Sequence, residues 1–152
     1  MIKKSLLKIL ILLFFIPGCG YTPIFSSKDN NFSIYELSVS GNGKLNKIII
    51  GKLNYYKGST GSKIFSVSME TYLNKEVASR DSKGNPKTYR INLGSNVSIK
   101  DPNGNINKKL FSKSIDYSNK NNKSELKKYE SETSKNLAEQ ISDEIIIYLQ
   151  SI

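Results

Sequence analysis

Apolar residues along this chain fall into three kinds of pattern: one unbroken run, four stretches that alternate, and two that repeat at helical spacing. The unbroken run comes first. Leu6 to Ile16 is apolar apart from Lys8, and its core, Ile9–Ile16, is eight residues long. A membrane-spanning helix needs roughly 20. With the basic start Met1-Ile2-Lys3-Lys4 before it and Pro17-Gly18 after it, the run predicts a signal peptide over residues 1–18. Residues 19–31 read as a polar tether, with Pro23 and then Ser26-Ser27-Lys28-Asp29-Asn30-Asn31.

Alternation predicts four strands. In Phe32–Val39 (FSIYELSV) the apolar set moves from Phe32 and Ile34 to Tyr35, Leu37 and Val39, which predicts a bulge near Ile34. Ile64–Tyr72 (IFSVSMETY) places Phe65, Val67 and Met69 on one face. After the break Ser82-Lys83-Gly84-Asn85-Pro86, Thr88–Ile99 alternates through Tyr89, Ile91, Leu93, Val97 and Ile99, with Gly94 expected at a bend or bulge. Asp101-Pro102-Asn103-Gly104 is a hairpin turn, and Lys108–Tyr117 supplies its second strand.

Helical spacing marks two segments. Lys44–Tyr56 carries Leu45, Ile48, Ile49, Leu53 and Tyr56; Gly51 weakens the pattern, and Ile48-Ile49-Ile50 also fits a short buried strand. Helix is the preferred reading. Ser124 to about Gln150 carries Leu126, Leu137, Ile141, Ile145, Tyr148 and Leu149, with Ser124 expected as N-cap and Glu125 in the first turn. The order β-α-β-β-β-α predicts an α+β fold: a four-stranded sheet with two helices packed on one face, a two-layer sandwich within a single domain over 32–152.

Composition narrows the chemistry. The chain has no His, which excludes His-based triads and His metal sites. Its one cysteine is Cys19, so neither an internal disulfide nor a Cys cluster for zinc can form. The formal charge is +10, and removing the leader with Lys3, Lys4 and Lys8 leaves 20 basic against 13 acidic residues, or +7. That excess favours anionic partners.

Cys19 stands at the end of the apolar run, in the sequence Ile16-Pro17-Gly18-Cys19. This resembles the lipobox of bacterial lipoproteins, in which a small residue fits the peptidase and the thiol accepts a diacylglyceryl group. The resemblance implies cleavage between Gly18 and Cys19 and a membrane attachment through lipid on Cys19. One acyl chain holds only marginally, at about 0.8 kcal/mol per buried methylene, so stable anchoring needs several. Gly20 stands where inner-membrane lipoproteins commonly carry Asp, which implies the periplasmic face of an outer membrane. A protein exported there meets no nucleic acid.

Several other motifs resolve into structure. Asp101-Pro102-Asn103-Gly104-Asn105 begins like a calcium loop but has Ile106 and Ser112 where Gly and Glu are required. Gly58-Ser59-Thr60-Gly61-Ser62-Lys63 lacks the ending of a phosphate loop. Ser124-Glu125-Leu126-Lys127 matches a Ser-x-x-Lys pattern without its companion motifs. Glu130, Glu132, Glu139, Asp143 and Glu144 suit the solvated side of the last helix. No catalytic residue, metal or cofactor is expected. The basic residues Arg80 and Lys83 at a hairpin, Arg90 on a strand, and Lys120, Lys123, Lys127 and Lys128 at the start of the last helix remain as candidates for binding phosphorylated sugars.

Cys19-Gly20-Tyr21-Thr22-Pro23-Ile24-Phe25 resembles the mature start of the lipopolysaccharide-assembly lipoprotein family (LptE), and the order of elements through Tyr89-Arg90-Ile91-Asn92-Leu93 and Phe111–Tyr117 is similar. The resemblance implies a plug inside a large outer-membrane β-barrel, the LptD-like lipopolysaccharide-assembly protein, and lipopolysaccharide as ligand. Carried over by position, the ligand residues are Arg80 and Lys127 or Lys128. The rival reading is another small outer-membrane lipoprotein, either a barrel-assembly accessory or an inhibitor of a cell-wall hydrolase.

Overall fold

The computed structural model describes residues 31–152. Cys19, Gly18 and the tether therefore lie outside the described residues. The elements are strand β1 (Phe32–Gly41), helix α1 (Gly43–Leu53) with a 3-10 turn (Asn54–Tyr56), strands β2 (Lys63–Arg80), β3 (Pro86–Lys100) and β4 (Ile106–Ser118), and helix α2 (Lys123–Ser151). They form one sheet in the order β1-β2-β3-β4, with β1 parallel to β2 and the two following pairs antiparallel. This is the expected α+β sandwich.

One face of the sheet is buried because one parity of each strand is apolar. Val67, Leu93, Val97 and Ile99 are almost completely buried, as are Ile49 and Leu53 from α1 and Ile141, Ile145 and Leu149 from α2. Burying each such side chain contributes about 1.5–3 kcal/mol. In β1 the parity flips: Ile34 pairs with Phe65, the register shifts, and Leu37 then pairs with Val67. Tyr35 is the extra residue of the expected bulge, and it is exposed.

The helices run parallel to each other, since Lys44 meets Ser131 and Lys52 meets Asp143 further along both. The corner between β1 and α1 is fixed on Thr71. The Asn42 N–H donates to the Thr71 carbonyl and hydroxyl, both at 3.1 Å. Gly41 there has φ +93°, and a Cβ on it would stand 2.0 Å from the Thr71 carbonyl oxygen, so only glycine fits.

Four expectations need correction. β2 continues eight residues past Tyr72, to Arg80, as an exposed ribbon paired with β3. Alternation fades there because neither face is buried. α1 ends at Leu53, with Tyr56 carried by the 3-10 turn. Gly94 marks neither bend nor bulge. Its register with Tyr72 is regular, and a Cβ would meet the Tyr72 ring at 2.2 Å, so the glycine makes room for the aromatic lying over it. The N-cap of α2 is Asn122, not Ser124: its Oδ1 accepts from the N–H groups of Ser124 at 3.0 Å and Glu125 at 3.3 Å. Asn and Ser cap about equally well, so propensity alone does not choose between them.

Candidate functional site: a lysine cleft beside the hairpin

β1 ends at Gly41, opposite Thr71, but β2 runs on. Past that point the core face of β2 is no longer covered by a strand neighbour on one side, and α1 begins above it. The result is a cleft of about 260 Å³ lined by Asn42, Lys44 and Leu45, by Leu73, Lys75 and Ile91 of the sheet, and by Lys127, Glu130, Ser131 and Ser134 of α2. It is smaller than the 300–1,000 Å³ typical of small-molecule sites. A single anionic group suits it better than a whole lipid.

Charge in the cleft is predominantly positive. Lys44, Lys75 and Lys127 face one carboxylate, Glu130. Lys44 Nζ donates to Ser131 Oγ at 3.1 Å, and Lys75 Nζ pairs with Glu130 Oε1 at 2.5 Å. α1 starts at the cleft, so its positive dipole end, equivalent to roughly half a charge, adds to the field; the α2 residues of the cleft lie beyond that helix's first turn, which carries Glu125. No acidic residue occupies the first turn of α1 to offset it.

Aromatic rings extend the cleft toward the hairpin. Lys75 Nζ lies 4.1 Å from the centre of the Tyr89 ring, Tyr89 stacks on Tyr117 at 5.8 Å, and Tyr117 meets Tyr129 at 5.5 Å. The Tyr117 hydroxyl donates to Glu130 Oε1 at 2.8 Å. Burial pushes the Tyr117 phenol well above its ordinary range, and the Glu130 carboxylate raises it further. Tyr117 and Lys75 thus donate to the same Glu130 oxygen.

The expected ligand residues divide. Lys127 lines the cleft. Lys128, next on the helix and about 100° round it, is exposed and outside that lining. Arg80 is the last residue of β2, where its Nη1 donates to the Gly84 carbonyl at 2.8 Å. Five residues of strand separate it from Lys75, or about 16 Å. The structure therefore does not bring Arg80 and Lys127 into one contact. Arg90 is occupied by Asp116, at 2.6 and 2.8 Å. Lys120 lies over the Tyr129 ring at 5.3 Å, and Lys83 belongs to the hairpin turn.

Lys44 and Lys75 were not among the sequence candidates, yet each carried a signal. Lys75 falls on the core-facing parity of β2, in step with Phe65, Val67, Met69 and Leu73. Lys44 sits in the first turn of a helix, where a cation opposes the dipole.

Among the described residues no group of three metal-ligating side chains occurs, and no helix is long and apolar enough to cross a membrane. No curated protein sequence matches the chain. Solved structures do resemble it. Rare lipoprotein B from Shewanella oneidensis superimposes with a TM-score of 0.61 at 17% identity, covering 76% of this chain and 94% of that one. An uncharacterized lipoprotein B from Nitrosomonas europaea gives 0.55 at 8%, covering 78% and 84%, and a minor lipoprotein from Acinetobacter baumannii gives 0.52 at 13%, covering 76% and 92%. At such identities the likeness speaks for the fold. The sequence itself goes further, because the lipopolysaccharide-assembly family model, LptE, matches residues 36–149. The chain belongs to the LptE family of lipopolysaccharide-assembly lipoproteins.

Proposed function

We propose that this protein serves lipopolysaccharide assembly without catalysing a reaction, by holding a phosphorylated headgroup in the cleft of Lys44, Lys75 and Lys127. In this reading Cys19 carries the lipid anchor at the periplasmic face of the outer membrane, and the domain partners a large outer-membrane β-barrel of the LptD-like kind. Arg80 and Lys128 lie further out and meet other parts of the same large ligand. Family membership favours this role over barrel assembly or hydrolase inhibition.

The observation that carries the proposal is convergence. Three lysines from α1, β2 and α2 line one cleft at the start of α1, with one carboxylate among them. A phosphate there would accept from several ammonium groups at once. Charge-assisted bonds contribute about 1.5–3 kcal/mol each. Replacing all three lysines by Gln should therefore weaken lipopolysaccharide binding at physiological salt by at least about a hundredfold. The fold should persist, because all three side chains are exposed. Unchanged affinity with intact circular dichroism would reject the cleft.

A further inference from the structure

The two edges of the sheet are finished differently. At the β1 edge, the loop after the 3-10 turn lies alongside the strand. Lys57 bridges to Ile34, the Gly58 N–H donates to the Ile34 carbonyl at 3.4 Å, Ser59 Oγ donates to the Phe32 carbonyl at 3.1 Å, and the bulge at Tyr35 breaks the register. That edge is closed over Phe32–Ile34 and interrupted at Tyr35. β4 is the opposite case. Its 13 residues pair with β3 in unbroken register from Ile106 to Ser118, with no proline and no bulge. Among the described residues, no loop backbone bonds to its outer side. This leaves an open edge of about 43 Å.

A depression flanks that edge on the helix side, and a broader one crosses the uncovered face and reaches it. On the helix side one of about 430 Å³ is lined by Lys109, Phe111, Lys113, Glu144, Ile147 and Tyr148. On the uncovered side one of about 490 Å³ spans all four strands, from Ser38 and Ser40 of β1 across Ser68, Glu70, Asn96 and Ser98 to Lys108 and Leu110 at the β4 edge. A strand added to β4 would send alternate side chains into these two spaces. Backbone hydrogen bonds would supply affinity and the depressions specificity. Leu110 and Ile147 are each 54% exposed, so apolar surface is available on both sides.

Charge selects the occupant. Among the described residues Lys108 and Lys109 have no acidic partner, and Lys109 instead lies 4.0 Å over the Tyr148 ring; Lys113 pairs with Glu144. The one other carboxylate in these linings, Glu70, stands two strands in from the edge. A second copy is disfavoured, since antiparallel pairing centred on Phe111 would set Lys109 against Lys113. Lysines defend natural edges in this way, but the defence works only against like charge. We propose that the β4 edge accepts an extended segment of a partner protein, alternating acidic and apolar residues, as a fifth strand.

The proposal is independent of the lysine cleft and is tested on the full mature chain. The probe is a ten-residue peptide of alternating Val and Glu, compared with its Lys-for-Glu counterpart and with a backbone N-methylated Val/Glu form. The expected result is binding of the first alone. The other two should bind at least tenfold more weakly, and amide exchange should slow across 106–118. Lys108→Glu with Lys109→Glu should reverse the preference between the acidic and basic peptides. Equal binding of the N-methylated peptide would reduce the effect to surface charge and overturn the proposal. Failure of the acidic peptide to bind, or slow exchange in the free chain through self-association, would overturn it as well.

Discussion

The two halves of β2 share one strand and one partner, yet they live in different surroundings. From Lys63 to Leu73 the strand lies under the helices, and Phe65, Val67, Met69 and Thr71 are buried. From Asn74 to Arg80 every residue is exposed, although pairing with β3 continues. The first half holds the fold together. The second half has little apolar surface to contribute and instead presents Lys75 and Arg80, with Tyr89 opposite on β3. Under the proposed function, stability and recognition are separated along a single strand, and substitutions can tell them apart.

The largest effect should come from the covered half. Ile141→Asp places a carboxylate where the wild-type side chain is completely buried, at a cost of several kcal/mol, comparable with the stability of a small domain. We expect no cooperative thermal transition for this variant; a melt like that of the wild type would show that the α2 stripe does not pack on the sheet. A milder pair compares the halves directly. Leu93→Ala, fully buried, should lose about 2–5 kcal/mol in denaturant titrations. Val77→Ala, 37% exposed on the ribbon, should lose under about 1 kcal/mol. Similar losses at both positions would erase the distinction.

Much of the covered half was legible in the sequence for one reason: burial of one face forces parity. The bulge at Tyr35 could be read from a one-residue slip in apolar positions, and the apolar stripe of α2 from its spacing. The exposed ribbon imposes no parity, so alternation alone ends the strand at Tyr72. Site residues were legible in the same uneven way. Lys127 and Arg80 stood out by position in the chain, but their separation depends on how far β2 runs past the end of β1. Lys44 and Lys75 join Lys127 only through the register of β2 and the parallel path of the helices. Asn122 rather than Ser124 caps α2 because one side chain reaches two N–H groups, a geometric fact invisible to propensity.

A smaller effect concerns the two hairpin turns. Asp81 accepts from Asn85 and Lys83, and Asp101 accepts from Asn105, within similar five-residue turns. Hydrogen bonds from Asn85 and Asn105 hold these carboxyls below the usual carboxylate range. A lowered folded-state pKa stabilises above the unfolded value of about 3.9, and that contribution is lost as pH falls through the folded value. On acidification below about pH 4, protection of the Asn85 and Asn105 amides, taken relative to their intrinsic exchange at each pH, should fall, while the amides of β2 between Phe65 and Thr71 stay protected. Simultaneous loss at both places would mean that the ribbon and the covered half open as one unit.

The central claim, that the lysine cleft holds the anionic headgroup, is tested most directly by site-specific photo-crosslinking. A photoreactive side chain at Ser131, in the cleft lining, is compared with one at Ser68 on the uncovered face of the sheet. The account predicts a lipopolysaccharide adduct at position 131, little at 68, and loss of the first when Lys44, Lys75 and Lys127 are all replaced by Gln. An adduct at 68 with none at 131, or a yield at 131 untouched by the triple replacement, would contradict it.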